Sequence, residues 1–131
     1  MDFQEIKVGM KAVASETVTE ANTAVTMGSG SLPVYATPAM ICLMEKAAAG
    51  LLEPLLPDGW TTVGIAMDVQ HKAPSPEGAA VRAEAEVTAV EGRKVTFSVR
   101  AWDACGEIGC GRHERFAVRE DSFMEKASSR H

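Results

Sequence analysis

Hydrophobic and polar positions along the chain predict one strand, one strongly apolar helix and then four more strands. The segment from Lys11 to Thr19 alternates imperfectly, but its Val and Thr content favours a strand. From Ala39 to about Leu52, apolar residues recur at helical spacing and also occupy the other sides. This is typical of a helix that is buried on most of its surface. Thr37 is predicted as the N-cap of this helix, with Pro38 at its first position.

The four later strands are predicted from Thr62 to His71, from Val81 to Ala89, from Val95 to Ala104 and from Ile108 to Val118. In the first of these, alternation sets Val63, Ile65, Met67, Val69 and His71 on one face. Short turns between strands indicate an antiparallel sheet, and a single apolar helix is buried when that sheet curves around it. The expected fold is α+β with the hotdog architecture, a curved antiparallel sheet wrapped around one long central helix.

Length and composition fit one small globular domain. At 131 residues the chain has room for one core, which we expect over about 8–119 of a single domain 1–131. The tail 120–131 is polar, and we expect it to be frayed. The exposed edge strands of such a sheet favour pairing between two copies, so we expect a homodimer.

Charge and cysteine content narrow the classes of partner. The formal net charge of −5 argues against nucleic acid as the main partner. No stretch is long and apolar enough to span a membrane, and the N-terminus lacks the pattern of a secretory signal, so a cytoplasmic protein is expected. Cys42, Cys105 and Cys110 lack the spacing of a metal site and are interpreted as reduced thiols. No metal and no other cofactor is expected.

Three polar residues are candidates for chemistry, and each also has a purely structural explanation. Glu45 is a carboxylate on an otherwise apolar helix, either on a narrow solvated stripe beside Lys46 or partly buried as base, acid or nucleophile. His71 is predicted on the apolar face of its strand, as a core residue or as a general base. It is a stronger candidate than His113 or the terminal His131. Thr37 lies where helix N–H groups suit a developing oxyanion, besides its role as a cap.

The order and spacing of several short blocks resemble one known family, the hotdog thioesterases typified by the fluoroacetyl-CoA-specific enzyme. The blocks are Val34-Tyr35-Ala36-Thr37-Pro38-Ala39-Met40, Leu43-Met44-Glu45, Thr62-Val63-Gly64, His71-Lys72-Ala73-Pro74-Ser75-Pro76-Glu77-Gly78, Val90-Glu91-Gly92-Arg93 and Glu107-Ile108-Gly109-Cys110-Gly111-Arg112-His113-Glu114-Arg115. The likeness extends over roughly 8–119. It implies an acyl-CoA thioesterase whose catalytic set falls on Thr37, Glu45 and His71, with a glycine near the acyl group at Gly64.

Two features qualify what the resemblance implies. Gly64 and His71 are seven residues apart, so a straight strand would turn them to opposite faces, and either a bulge intervenes or they serve different parts of the cleft. The family's enzyme closes its pocket with phenylalanines before the catalytic threonine, whereas this chain has Met27-Gly28-Ser29-Gly30-Ser31-Leu32-Pro33 there. Selectivity for fluoroacetyl-CoA is therefore not expected, although a short or small acyl group is.

The function expected from these observations is hydrolysis of an acyl-CoA thioester to a free acid and CoA. Arg93, Lys94, Arg112 and Arg115 are candidates to meet the CoA phosphates, or are solvated surface residues. The leading alternative is a non-catalytic acyl-CoA-binding or sensing module on the same fold. A hydratase or dehydratase would carry an Asp/His pair in a different local sequence, and a structural dimer without ligand would not respond to CoA esters.

Overall fold

A five-stranded antiparallel sheet packed against one long helix forms the part of the chain that the computed structural model describes, Phe3 and residues 5–131. The strands are Lys11–Thr17 (β1), Trp60–His71 (β2), Ala80–Glu91 (β3), Lys94–Asp103 (β4) and Gly106–Arg119 (β5). The helices are Ala24–Met27 (α1), Thr37–Leu52 (α2) and Glu120–Ser129 (α3). No helix in these residues is both long and apolar enough to cross a bilayer.

The strand order in the sheet is β1-β3-β4-β5-β2, and all neighbours are antiparallel. Short turns at Gly92-Arg93 and Ala104-Cys105 join β3 to β4 and β4 to β5 as antiparallel hairpins, as the short spacing between the predicted strands indicated. Gly92 has a φ of 62°, a left-handed conformation that favours glycine. The chain leaves β2 at one edge and enters β3 on the far side of β4 and β5, so β2 pairs with the last strand, not with the next one. Strand β2 is thus an edge strand of 12 residues.

One face of α2 packs on the concave side of the sheet and fills the core. Its buried residues are Ala39, Met40, Leu43, Met44, Ala47, Ala48 and Leu52. Ile41 and Ala49 are partly buried, and beyond the first turn the exposed positions are Cys42, Lys46 and Gly50, a narrow stripe that faces away from the sheet. The prediction that the helix is buried on most of its surface is therefore confirmed.

The C-terminal tail is helical over Glu120–Ser129, and the prediction of a frayed tail is wrong. Glu120 and Asp121 lie in its first turn and Lys126 in its last, which matches the helix dipole. The backbone N–H of Glu120 donates to the carbonyl of Gly59 at 2.9 Å, which ties the start of α3 to the beginning of β2. The polar composition of the tail reflects a helix with no buried residues.

Candidate active site

Thr37 and His71 are brought together at the N-terminus of α2. The helix begins at Thr37, and the residue before it, Ala36, is extended with φ −75° and ψ 141°. Ala36 is therefore the N-cap, and the prediction that Thr37 caps the helix is wrong by one position. Because its hydroxyl does not cap the helix, Thr37 Oγ1 is free to contact His71 Nδ1, at 2.8 Å.

His71, the last residue of β2, lies beside a cavity of about 310 Å³ that is also lined by Tyr35 and Thr37. Burial lowers the pKa of its imidazole below the ordinary value, with a backbone contact at Ala73 opposing the shift. The Tyr35 ring meets the imidazole edge-on at 6.5 Å between centroids. His71 Nε2 is buried and has no hydrogen-bond partner among the described residues. Nδ1 is thus within hydrogen-bond distance of Thr37, whereas Nε2 has no hydrogen-bond partner in the described part of the chain.

Glu45 lies in a second polar cluster, away from His71. Its Oε2 is 3.2 Å from Arg115 Nη1 and 4.0 Å from His113 Nε2. The carboxylate also packs on Gly64, where a β-carbon would collide with Oε2. Glu45 and His71 are therefore not brought into contact within one chain. Thr37 and Glu45 are eight residues apart on α2, about 12 Å along the helix axis.

A β-bulge in β2 turns Gly64 and His71 to the same face. Pairing with β5 shifts register between Gly64 and Ala66, which leaves Ile65 as the extra residue. Of the two alternatives for the seven-residue spacing, the bulge is confirmed. The predicted face of β2 is wrong in its first half, because Ile65 is 51% exposed and Thr62, not Val63, is buried. Past the bulge, Met67, Val69 and His71 share a face as predicted.

His113 and Arg115 are the residues of this second cluster that sequence reasoning undervalued. His113 is 1% exposed and its Nδ1 lies 2.8 Å from the carbonyl of Ala66. A carbonyl only accepts, so Nδ1 carries the proton and Nε2 can accept from Arg115 Nη1 at 3.2 Å. Burial, reinforced by the nearby Arg115 cation, lowers the pKa of His113 and favours this neutral form.

Arg115 is anchored so that its guanidinium faces Glu45. Its Nε donates to Thr62 Oγ1 at 2.9 Å and its Nη2 donates to the Thr62 carbonyl at 3.0 Å. Burial lowers the pKa of Arg115, and Glu45 opposes that shift. A sequence signal for these residues was present, because His113, Arg115 and the buried Ala117 are spaced two apart in β5 and therefore lie on the same inward face. Polar residues on an inward face needed a partner, and Glu45 is that partner.

The described residues contain no group of three or more His, Cys, Asp or Glu side chains arranged to hold a metal ion. Together the two clusters provide a hydroxyl, an imidazole, a carboxylate and a guanidinium. A hydroxyl within hydrogen-bond distance of an imidazole is the arrangement of an activated nucleophile or of a general base that holds its substrate. The fold and these groups define a hotdog protein equipped for acyl transfer.

Comparison with known proteins identifies the family. The family model described as "Fluoroacetyl-CoA-specific thioesterase" matches residues 18–121. The fluoroacetyl-CoA thioesterase of Streptantibioticus cattleyicolor is 40% identical over 93 residues, which cover 71% of this chain and 67% of that protein. The chain belongs to the fluoroacetyl-CoA-specific thioesterase family and is a thioester hydrolase by that membership.

Solved structures agree with the fold. A structure of the fluoroacetyl-CoA thioesterase has a TM-score of 0.91 and 32% identity, with 96% of this chain and 98% of that chain covered. A variant of that enzyme in complex with acetyl-CoA has a TM-score of 0.90 and 31% identity, covering 95% and 98%. A hot-dog-like protein from Thermanaerovibrio acidaminovorans has a TM-score of 0.90 and 29% identity, covering 99% and 97%. The predicted hotdog fold is confirmed.

Substitution of Gly64 tests whether the Glu45 cluster is used. In Gly64→Ala the new methyl group collides with Glu45 Oε2 and displaces the carboxylate from Arg115. We expect kcat for thioester hydrolysis to fall by about tenfold or more, because misplaced catalytic groups lose orientation. Gly50→Ala is the matched control, since its β-carbon meets nothing within 4 Å. Activity of Gly64→Ala equal to that of Gly50→Ala would contradict a role for this cluster.

The pH dependence follows from the direction of the His71 shift. Only the neutral imidazole accepts a proton, and burial places its pKa below the ordinary 6.5. The rate of thiol release should therefore be maintained down to about pH 6.5 and fall only at lower pH, as the ring becomes protonated. A profile of kcat/KM between pH 5 and 8 measures this. An acid limb that begins well above pH 7 would contradict burial as the dominant influence on the pKa of this imidazole.

Proposed function

We propose that the protein hydrolyses a short or small acyl-CoA thioester to a free acid and CoA. The observation that carries the proposal is the 2.8 Å contact between Thr37 Oγ1 and His71 Nδ1 at the start of α2. Family membership supports the reaction class, and the acetyl-CoA complex of a relative supports the substrate class. Thr37, Glu45 and His71 are the proposed catalytic residues, with Gly64 beside the acyl group.

The helix N-terminus supplies donors for the thioester oxygen. The first turn of a helix leaves backbone N–H groups without intrahelical partners, and these are offered by Thr37 and Ala39 because Pro38 has none. Negative charge develops on the thioester oxygen when the carbonyl carbon is attacked. His71 takes the proton of the attacking group, which is either the Thr37 hydroxyl or a water molecule. Both routes require the same imidazole, which returns the proton to the departing CoA sulfur. If water attacks, the free acid forms in that step, whereas if Thr37 attacks, an acyl ester of Thr37 remains and a water molecule, deprotonated by His71, then hydrolyses it to the free acid.

We propose further that the functional unit is a homodimer joined along β2. The outer edge of this strand has no partner in the described chain, and Ile65 on it is 51% exposed. Pairing two such edges removes them both, and the partly exposed Ile41 and Ala49 of α2 would be covered at the same time. Sedimentation or light scattering should give twice the chain mass, and Ile65→Arg should shift it to the monomer.

The dimer would unite the two polar clusters. A two-fold axis at Met67 or Asp68 respects the inward and outward faces of β2, because opposed residues in an antiparallel pair share a face. Counting past the bulge at Ile65, these registers set the partner's His71 opposite Thr62 or Gly64. The Thr62 and Gly64 positions adjoin Arg115 and Glu45. Glu45 of one chain would then accept a hydrogen bond from Nε2 of the partner's His71, which has no partner within its own described chain.

The proposed acyl pocket next to Thr37 has no phenylalanine among its lining residues. Ser29, from the stretch 27–33 where the family's enzyme is expected to carry phenylalanines, lies on its wall together with Ala24. A wall of this kind gives no apolar lid, so we propose a broader choice of small acyl groups than fluoroacetyl alone. A closely fitting pocket distinguishes two acyl groups that differ by one methylene by about 1–3 kcal/mol. We expect a smaller difference for this pocket.

A panel of acyl-CoAs tests the proposed function. Release of free thiol from acetyl-, propionyl-, butyryl- and longer acyl-CoAs is followed alongside the melting temperature with each ester. We expect multiple turnovers with at least one short ester. If every ester raises the melting temperature while none is hydrolysed, the protein is the acyl-CoA-binding module that forms the alternative.

A further inference from the structure

The nucleotide end of CoA carries a diphosphate and a 3′-phosphate, so binding it calls for cations that are not already paired with carboxylates. Three of the four cations predicted for this role are paired. Lys94 Nζ and Arg112 Nη2 lie 3.6 and 3.2 Å from the same Glu114 carboxylate. Arg115 is buried against Glu45. The structure therefore leaves Arg93 as the candidate from the sequence.

Arg93 lines a groove together with two more cationic side chains. Arg119 at the end of β5 and Lys126 on α3 line it together with Val118, Ser122 and Phe123, around a volume of about 330 Å³. All three cations are exposed, and no carboxylate is among the lining residues. Arg119 approaches Asp121 at 3.7 Å, and that pair is exposed. In the described part of the chain, Arg93 and Lys126 form no ion pair.

The composition of this basic groove (Arg93, Arg119 and Lys126) fits a phosphorylated nucleoside better than a simple anion. The Arg93 guanidinium is stacked over Trp60 at 4.9 Å from the ring centroid, which holds its donors in place. Guanidinium groups bind phosphate with two parallel hydrogen bonds. Phe123 is 38% exposed beside them and offers an aromatic face to a base.

The position of the basic groove suits a ligand whose other end is at the Glu45–Arg115 cluster. Arg115 and Arg119 lie on the same face of β5, four residues apart, which is about 13 Å along the strand. This separation is comparable with the reach of an extended pantetheine arm. A single CoA thioester can therefore place its acyl carbonyl near Gly64 and its phosphates at the end of the sheet.

We propose that the basic groove binds the 3′-phosphoadenosine diphosphate of the CoA thioester. The proposal rests on the proposed function, because it concerns the far end of the same substrate. The overall charge of −5 makes this local cluster more significant, since the molecule as a whole repels CoA.

The test compares acyl-CoA with the matching acyl-pantetheine, which has the same thioester and lacks the nucleotide. The variant is Arg93→Gln/Lys126→Gln. The matched control is Lys11→Gln/Arg100→Gln, which removes the same charge from residues paired with Glu86 and Glu107. We expect the KM for acyl-CoA to rise about tenfold or more in the variant, with kcat unchanged and with the KM for acyl-pantetheine unchanged. The control should match wild type with both substrates.

Failure of the basic groove and failure of the proposed function give different results. If wild type hydrolyses both thioesters and the variant keeps the wild-type KM for acyl-CoA, the groove is not the nucleotide site. An equal rise in the control would show a general charge effect and would equally overturn it. If wild type hydrolyses neither thioester, the proposed function fails and the nucleotide site with it.

Discussion

His71→Ala should lower kcat for the best acyl-CoA by about 10²–10⁴-fold, the usual contribution of a general base. The substitution removes the nitrogen that contacts Thr37 Oγ1 at 2.8 Å, so neither the hydroxyl nor a water molecule loses its proton efficiently. KM should change much less, because His71 makes no contact with the proposed nucleotide site. Steady-state thiol release with purified protein gives both constants.

Chemical rescue separates loss of the base from loss of the fold. The alanine variant should keep a cooperative melting transition, and added imidazole should restore part of the rate by occupying the vacated space. His131→Ala, at the exposed chain terminus, is the matched control and should behave as wild type. A His71→Ala protein that remains folded and fully active would remove the imidazole from the mechanism.

Glu45→Gln should lower kcat by about 10²-fold, with the side-chain shape almost unchanged. The substitution removes the negative charge that faces Arg115 at 3.2 Å and that is proposed to meet the partner's His71. Because Arg115 is only 8% exposed, losing the charge beside it should lower the free energy of unfolding by about 1–3 kcal/mol, even though the glutamine oxygen can still accept from Nη1. A large loss of activity in a protein that remains folded at the assay temperature is the signature of a functional carboxylate.

Glu53→Gln is the control for a carboxylate at the end of the same helix. Glu53 accepts a hydrogen bond from Thr61 at 3.1 Å and forms no ion pair with Arg115 among the described residues, although its charge acts on Arg115 at longer range. Its kcat should equal that of wild type. If Glu45→Gln and Glu53→Gln were equally active, the charge at Glu45 would serve the structure alone.

Much of this arrangement follows from local sequence patterns. The apolar periodicity from Ala39 to Leu52 and the alternation in β3 and β4 predicted a curved sheet on one helix, because burial of those faces has few other solutions. The inward orientation of His71 followed from alternation with Met67 and Val69. Its contact with Thr37 needed only the long strand and the start of the helix to lie at the same end of the sheet.

The partners of Glu45 could not be found in the same way. The bulge at Ile65 reverses the alternation of β2. Gly64 is compatible with a bulge but equally with a close helix–strand contact, so the local sequence does not fix where the bulge falls. Arg115 and Glu45 are 70 positions apart, so their pairing depends on the register of β5 against β2. The helical tail was also missed, because its polar residues are equally compatible with a surface helix and with a disordered segment.

Two features of the single chain point to a second copy. Ile41 and Ala49 of α2 remain partly exposed, and His71 Nε2 has no partner among the described residues. A second copy along β2 would satisfy both features. The central claim is therefore that each reaction site uses Glu45 from one chain and His71 from the other.

Mixing two inactive variants tests this claim most directly. Glu45→Gln and His71→Ala chains are unfolded together, refolded at equal concentration and assayed for thiol release. Random pairing makes half of the dimers mixed, and each mixed dimer has one site with both residues intact, so about a quarter of the wild-type rate should return. If each site is built within one chain, every site keeps a defect and the mixture stays as inactive as its components.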